Sequence, residues 1–145
     1  MTDANEIMPN LWIGNFQTAL DADFLKKNNI KLIINVTVDT PMNQPDIDYV
    51  HVPIPAEKED ICEDYPKLFN LLADRINEFL NQNEGVLVHC KKGHNRSACI
   101  VAAYLIKHAN TEYLDAMIYI NSLRNCEMIK NNHMTKELYK FSILK

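Results

Sequence analysis

The run Val86-Leu87-Val88 is β-branched and apolar, and it stops at His89-Cys90, just seven residues before helix-compatible sequence resumes at Ser97. It reads as a buried strand, and Ala98 to His108 reads as a helix. A cysteine therefore sits where a strand ends, and Arg96 sits where a helix begins. Between them lies a loop, Lys91-Lys92-Gly93-His94-Asn95, short enough for its backbone N–H groups to turn inward together. Such a nest, capped by a helix N-terminus, binds an oxyanion. The same field favours a thiolate and lowers a cysteine pKa from its ordinary value of roughly 8.5. Arg96 can hold two phosphoryl oxygens with its planar fork.

Other strands alternate with helices along the chain. Residues 11–13 form a short strand candidate closed by Gly14-Asn15, and 17–28 a helix with Ala19, Leu20, Phe24 and Leu25 on one side. Lys31 to Val36 and Ile47 to Ile54 read as strands, and Pro53 and Pro55 end the second. Tyr65, Leu68, Phe69, Leu72, Ile76, Phe79 and Leu80 follow helical spacing until Gly85. Helices are predicted over 97–108, about 112–124 and about 135–144, with Asn110 as a C-cap and Thr111 as an N-cap. This order predicts an α/β fold: a mostly parallel sheet covered by helices on both faces. Ligands of such sheets bind at the carboxyl ends of the strands, where Cys90 lies.

The length of 145 residues suits one domain, 1–145, and no repeat or linker divides it. A net charge of -4 gives no global attraction to nucleic acid or anionic lipid, although Lys91, Lys92, His94 and Arg96 make one loop locally basic. The first residues carry acids and no apolar core, so no signal peptide is expected, and no apolar run reaches the length of a membrane span. The expected location is the cytoplasm or nucleus, where thiols stay reduced. Cys62, Cys90, Cys99 and Cys126 form no Cys-x-x-Cys pair, which argues against structural zinc. Cys99 reads as a small core residue.

The loop residues His89-Cys90-x5-Arg96-Ser97 resemble the cysteine-based protein tyrosine phosphatase superfamily, and more narrowly its small single-domain, atypical dual-specificity protein phosphatases. Ile7-x-Pro9-x-Leu11-x-Ile13-Gly14-Asn15 is similar to the opening strand of that family, and Ile33-Ile34-Asn35-Val36-Thr37 to its second core strand. The similarity runs over roughly residues 7–140. It implies that Cys90 is the nucleophile of a phosphocysteine intermediate. Arg96 and the amides of Lys91, Lys92, Gly93, His94 and Asn95 would hold the phosphoryl oxygens. Ser97 would bond the Cys90 sulfur and ease its departure. His89 would order the loop, and Asn35 is a supporting residue. No metal and no cofactor are implied, because the loop and arginine replace a cationic clamp.

Family members carry an aspartate, as general acid, about thirty residues before the cysteine, on a loop after an apolar-Pro-apolar strand end. Val52-Pro53-Ile54 marks that end here, and Asp60 is the best match. Glu59 and Glu57 are close rivals and Asp64 a poorer one. The family's second arginine and Pro-Asn pair are replaced by Cys126, Glu127 and Asn131-Asn132, so a second anion pocket loses support. Arg124 could line such a pocket or serve a surface or capping role.

Without long insertions the cleft should be shallow, which favours phosphorylated proteins carrying phosphotyrosine, phosphoserine or phosphothreonine. The basic loop leaves an alternative: polyphosphorylated lipid (a phosphoinositide) or the 5′-phosphates of RNA. A non-catalytic phospho-binding module is the third reading, which the retention of Cys90, Arg96 and Ser97 disfavours.

Overall fold

In the computed structural model the described residues are 3–38, 44–54, 64–91, 96–124 and 133–144. The strand that ends at the cysteine is β5 (Gly85–His89), and every one of its residues is buried. It lies between β2 (Leu11–Gly14) and β3 (Ile30–Asn35), parallel to both. β4 (Asp48–His51) extends the sheet in parallel beyond β3, and β1 (Ala4–Met8) closes the other edge antiparallel to β2. The order is β1-β2-β5-β3-β4. A central parallel strand is covered on both faces, which is why its sequence is continuously apolar rather than alternating.

The pleat sorts these side chains into two cores. Leu11, Ile13, Leu32, Ile34, Val86 and Val88 join the larger one. It is completed by α3 (Tyr65–Asn81), α4 (Arg96–His108), α5 (Tyr113–Arg124) and α6 (His133–Leu144). Ile33 and Leu87 point the other way, against Ala19 of α1 (Phe16–Ala19) and Leu25 of α2 (Ala22–Lys27). There the Trp12 and Phe24 rings meet edge to face, centroids 5.1 Å apart. Helices thus cover both faces, as the alternation of elements predicts. α4 is buried on all sides from Arg96 to Ile106, so the segment that opens at the arginine is the central helix of the domain. Each large apolar side chain buried here contributes about 1.5–3 kcal/mol relative to exposure.

Local chemistry sets the boundaries and corrects several expectations. The segment from Ile7 to Asn15 is a hairpin, not one strand: Met8 ends β1, and Asn10 turns the chain in the left-handed region at φ 73°. The predicted helix over 17–28 is two helices, because the Asp21 side chain accepts from Phe24 N–H at 3.1 Å and caps a new start. β4 stops at His51, short of Ile54. Thr111 is not a cap for α5; its hydroxyl donates to the Ala109 carbonyl at 3.2 Å. Asn110 does turn left-handed after α4, at φ 53°. Gly85 lets β5 approach α2: a Cβ there would lie 2.6 Å from the Asn28 carbonyl oxygen.

Candidate active site

Strand register places four residues in one row at the carboxyl edge of the sheet. Gly14 pairs with His89, His89 with Asn35, and Asn35 with His51. Cys90 follows the row immediately and is 2% exposed. Its sulfur lies 3.3 Å from the Ser97 hydroxyl, on the first turn of α4. The thiol thus stands at the end of a buried strand, within reach of the first turn of the helix that follows.

Arg96 opens α4 and is itself buried. Its Nη1 donates to the carbonyls of Val36, at 3.3 Å, and of Ile54. Those carbonyls follow β3 and β4, so the guanidinium is held across the ends of two strands beside Cys90. A planar donor fixed in this way has its direction set before any anion arrives.

The row is locked from below. The Asn35 side chain, fully buried, accepts from the Thr37 N–H at 2.9 Å and the Thr37 hydroxyl at 2.7 Å. Val36 N–H donates to the His89 carbonyl at 3.0 Å. From α1, on the face that Ile33 and Leu87 share, the Phe16 ring meets the His89 ring edge to face at 6.2 Å, and Phe16 N–H donates to the Lys91 carbonyl at 3.2 Å. The sequence reading missed Phe16, Thr37, and the Val36 and Ile54 carbonyls. The Asn15-x-x-Thr18 cap was the visible signal for the first; backbone carbonyls leave none.

Cys90, Arg96, Ser97, His89 and Asn35 are therefore brought to one edge, and Lys91 is exposed beside them. Lys92, Gly93, His94, Asn95, and the acid candidates Asp60, Glu59 and Glu57, lie outside the described residues, as do Cys62 and Cys126. Asp64 caps α3, accepting from Lys67 N–H at 3.0 Å. Cys99 is a fully buried core residue. Arg124 is not on an open pocket wall; its side chain is 2% exposed and meets Asp3 and Asn5. A groove of about 480 Å³ lined by Leu25, Ile30, Pro45 and Ile47 lies at the opposite edge, where β3 and β4 begin, away from Cys90. Among the described residues no cluster of three His, Cys, Asp or Glu could hold a metal ion. No described helix is long and apolar enough to cross a membrane.

Residues 11–143 match the family described as dual specificity phosphatase, catalytic domain. The chain is 36% identical over 124 residues to dual specificity protein phosphatase 1B of Arabidopsis thaliana, covering 85% of this chain and 72% of that protein. It is 32% identical over 141 residues to dual specificity protein phosphatase Mpk3 of Drosophila melanogaster, covering 94% of this chain but 33% of that protein. The chain thus spans about a third of the length of the Drosophila relative. A mouse dual specificity phosphatase complexed with zinc tungstate superposes with a TM-score of 0.88 at 25% identity, covering 99% of this chain and 89% of that one.

Proposed function

Because the chain belongs to the dual specificity phosphatase catalytic domain family, we propose that it hydrolyses phosphotyrosine and phosphoserine or phosphothreonine in proteins, with residues 1–145 acting as one catalytic domain. The observation that carries this reading is the Cys90 sulfur 3.3 Å from Ser97, beside a guanidinium anchored on two strand ends. The mouse relative's tungstate is a tetrahedral oxyanion like phosphate, which supports an oxyanion-binding loop here.

The Cys90 thiolate attacks phosphorus in line; the S–P bond forms as the P–O bond to the leaving group breaks. The leaving oxygen takes a proton from an acid on the loop after Ile54, with Asp60 the first candidate. Arg96 and the loop amides stabilise the charge on the equatorial oxygens. Water then attacks phosphorus and gives a proton back to the same carboxylate; the P–O bond forms as the S–P bond breaks, and the sulfur leaves as a thiolate with the Ser97 hydroxyl donating to it. His89 and Asn35 hold the strand ends in place. The reaction has no metal step, since the loop and Arg96 supply the positive field. Phosphorylated proteins are the substrates, met in the cytoplasm or nucleus. The relatives' descriptions favour protein over lipid or RNA substrates.

The test is phosphate release from phosphotyrosine and phosphothreonine peptides, a phosphoinositide and a 5′-triphosphate RNA, with Cys90→Ser as control. Turnover of both peptides, abolished in the variant, is expected. Preference for the lipid or the RNA would overturn the assignment and give Lys91 and His94 the reading of extra phosphates. Binding without turnover would identify a phospho-binding module.

A further inference from the structure

We propose that Asp3 and Arg124, both outside the site, position the phosphate-binding loop through the short helix α1. This rests on the phosphatase reading above. α1 touches the chain on both sides of Cys90: its Phe16 ring meets His89, and its Phe16 N–H holds the Lys91 carbonyl. One helical turn does not repay its own nucleation, so α1 depends on what caps it. The Asn15 side chain accepts from Thr18 N–H at 3.0 Å, and Asn15 N–H faces the Thr18 hydroxyl at 3.3 Å. Gly14 makes room for this box, since a Cβ there would lie 2.8 Å from the Thr18 hydroxyl oxygen.

The cap is fastened in turn to Asp3. The Asp3 carbonyl accepts from the Thr18 hydroxyl at 2.9 Å and from Asn15 N–H at 3.3 Å. Its carboxylate accepts from the Asn15 amide at 3.4 Å. Arg124, at the end of α5, approaches from the far side. Its Nη1 lies 3.3 Å from the Asp3 carboxylate and 2.8 Å from the Asn5 side-chain oxygen, and its Nη2 reaches the Asp3 carbonyl at 3.4 Å. A buried guanidinium is costly unless its donors are satisfied, so it constrains Asp3 more tightly than an exposed partner would. A continuous line of contacts runs Arg124, Asp3, Asn15 with Thr18, Phe16, Lys91.

The end of that line matters to chemistry. A loop whose N–H groups converge on an anion turns its carbonyls outward, and those carbonyls need donors of their own. Phe16 N–H is such a donor for Lys91. In a trans peptide C=O and N–H point opposite ways, so fixing the one aims the other. Releasing Asp3 loosens α1, and with it the alignment that favours the Cys90 thiolate and the bound phosphoryl group.

The experiment reads Cys90 directly: its rate of alkylation by iodoacetamide against pH in the full chain, with Cys90→Ser giving the background from the other cysteines. Asp3→Ala is expected to leave about fivefold less thiolate at a given acidic pH, and to raise KM for an aryl phosphate by a similar factor with kcat nearly unchanged. Asp3→Asn, whose Oδ1 can still accept from Arg124, should fall between, and it carries the comparison if Asp3→Ala melts below the assay temperature. Profiles that superimpose on the wild type while Tm falls would overturn the proposal and leave Asp3 a tether of the first strand. A wild-type chain that releases no phosphate overturns the phosphatase reading instead; the alkylation profiles still decide the positioning role.

Discussion

Ser97 is held on the first turn of α4 with its hydroxyl 3.3 Å from the Cys90 sulfur, both groups buried. A neutral hydroxyl there serves the sulfur most when it carries charge, as the departing thiolate of the second step. Ser97→Ala is expected to lower kcat about 10- to 100-fold, the worth of a hydrogen bond to a charged group. Phosphocysteine should accumulate, visible as a burst of leaving group before a slow steady state. Equal loss in burst and steady rate would place Ser97 in the first step.

Arg96 ties the ends of β3 and β4 through Val36 and Ile54, and the proposed mechanism gives the same side chain the phosphoryl oxygens to hold. Lysine offers a point charge without the planar fork. Arg96→Lys should reduce kcat/KM by about 10²- to 10³-fold. It should also cost about 1–3 kcal/mol of stability, because buried carbonyls lose their donor. Denaturant unfolding beside steady-state kinetics separates the two; an intact stability with lost activity would mean that the strand ends do not depend on the guanidinium.

Leaving-group dependence identifies the proton donor among Asp60, Glu59 and Glu57. The true acid matters most when the leaving oxygen is basic. Asp60→Asn should slow tyrosyl and alkyl phosphates by about 10²-fold and an activated aryl phosphate much less. If Glu59→Gln gives that pattern and Asp60→Asn does not, the donor is Glu59.

The fold and the family were legible for one reason: buried parallel strands and the Cys90–Arg96 spacing are written in consecutive residues. The central run 86–88, the apolar stretch Ala98 to Ile106 of α4 and the Gly85 stop all declare themselves in the sequence. What escaped reading is what one residue does to its neighbour in space. Asp21 recaps the chain and splits a helix that hydrophobic periodicity alone would continue. Asn10 folds an apparent strand into a hairpin. Arg124 reads from sequence as a pocket, surface or capping residue, because its partners Asp3 and Asn5 are more than a hundred positions away. The acid stayed open among three carboxylates, since spacing from the cysteine does not distinguish neighbours on one loop.

Away from the site, Asp74 joins α3 to α4. Its carboxylate accepts from Lys107 Nζ at 2.7 Å and lies 2.8 Å from His108 Nε2, while Lys107 also donates to Asn70 at 2.6 Å. The Lys107 hydrogen bond above all, with that of His108 and both charges adding, holds the Asp74 carboxyl below the usual carboxylate range against the opposing effect of desolvation. A depressed folded-state pKa contributes stability above the unfolded value, near 3.9, and loses it as pH falls through the folded one. The carboxylate is 46% exposed, so solvent screens the network to about 1 kcal/mol at most. Asp74→Asn should therefore lower Tm by about 3 °C or less at neutral pH. The gap to the wild type should shrink as pH drops below about 4 and close once pH has fallen through the folded value, where both proteins carry a neutral group at this position. Melts of the two proteins across that range check the sign: a gap that stays constant into acid would show that Asp74 contributes through packing rather than through its charge.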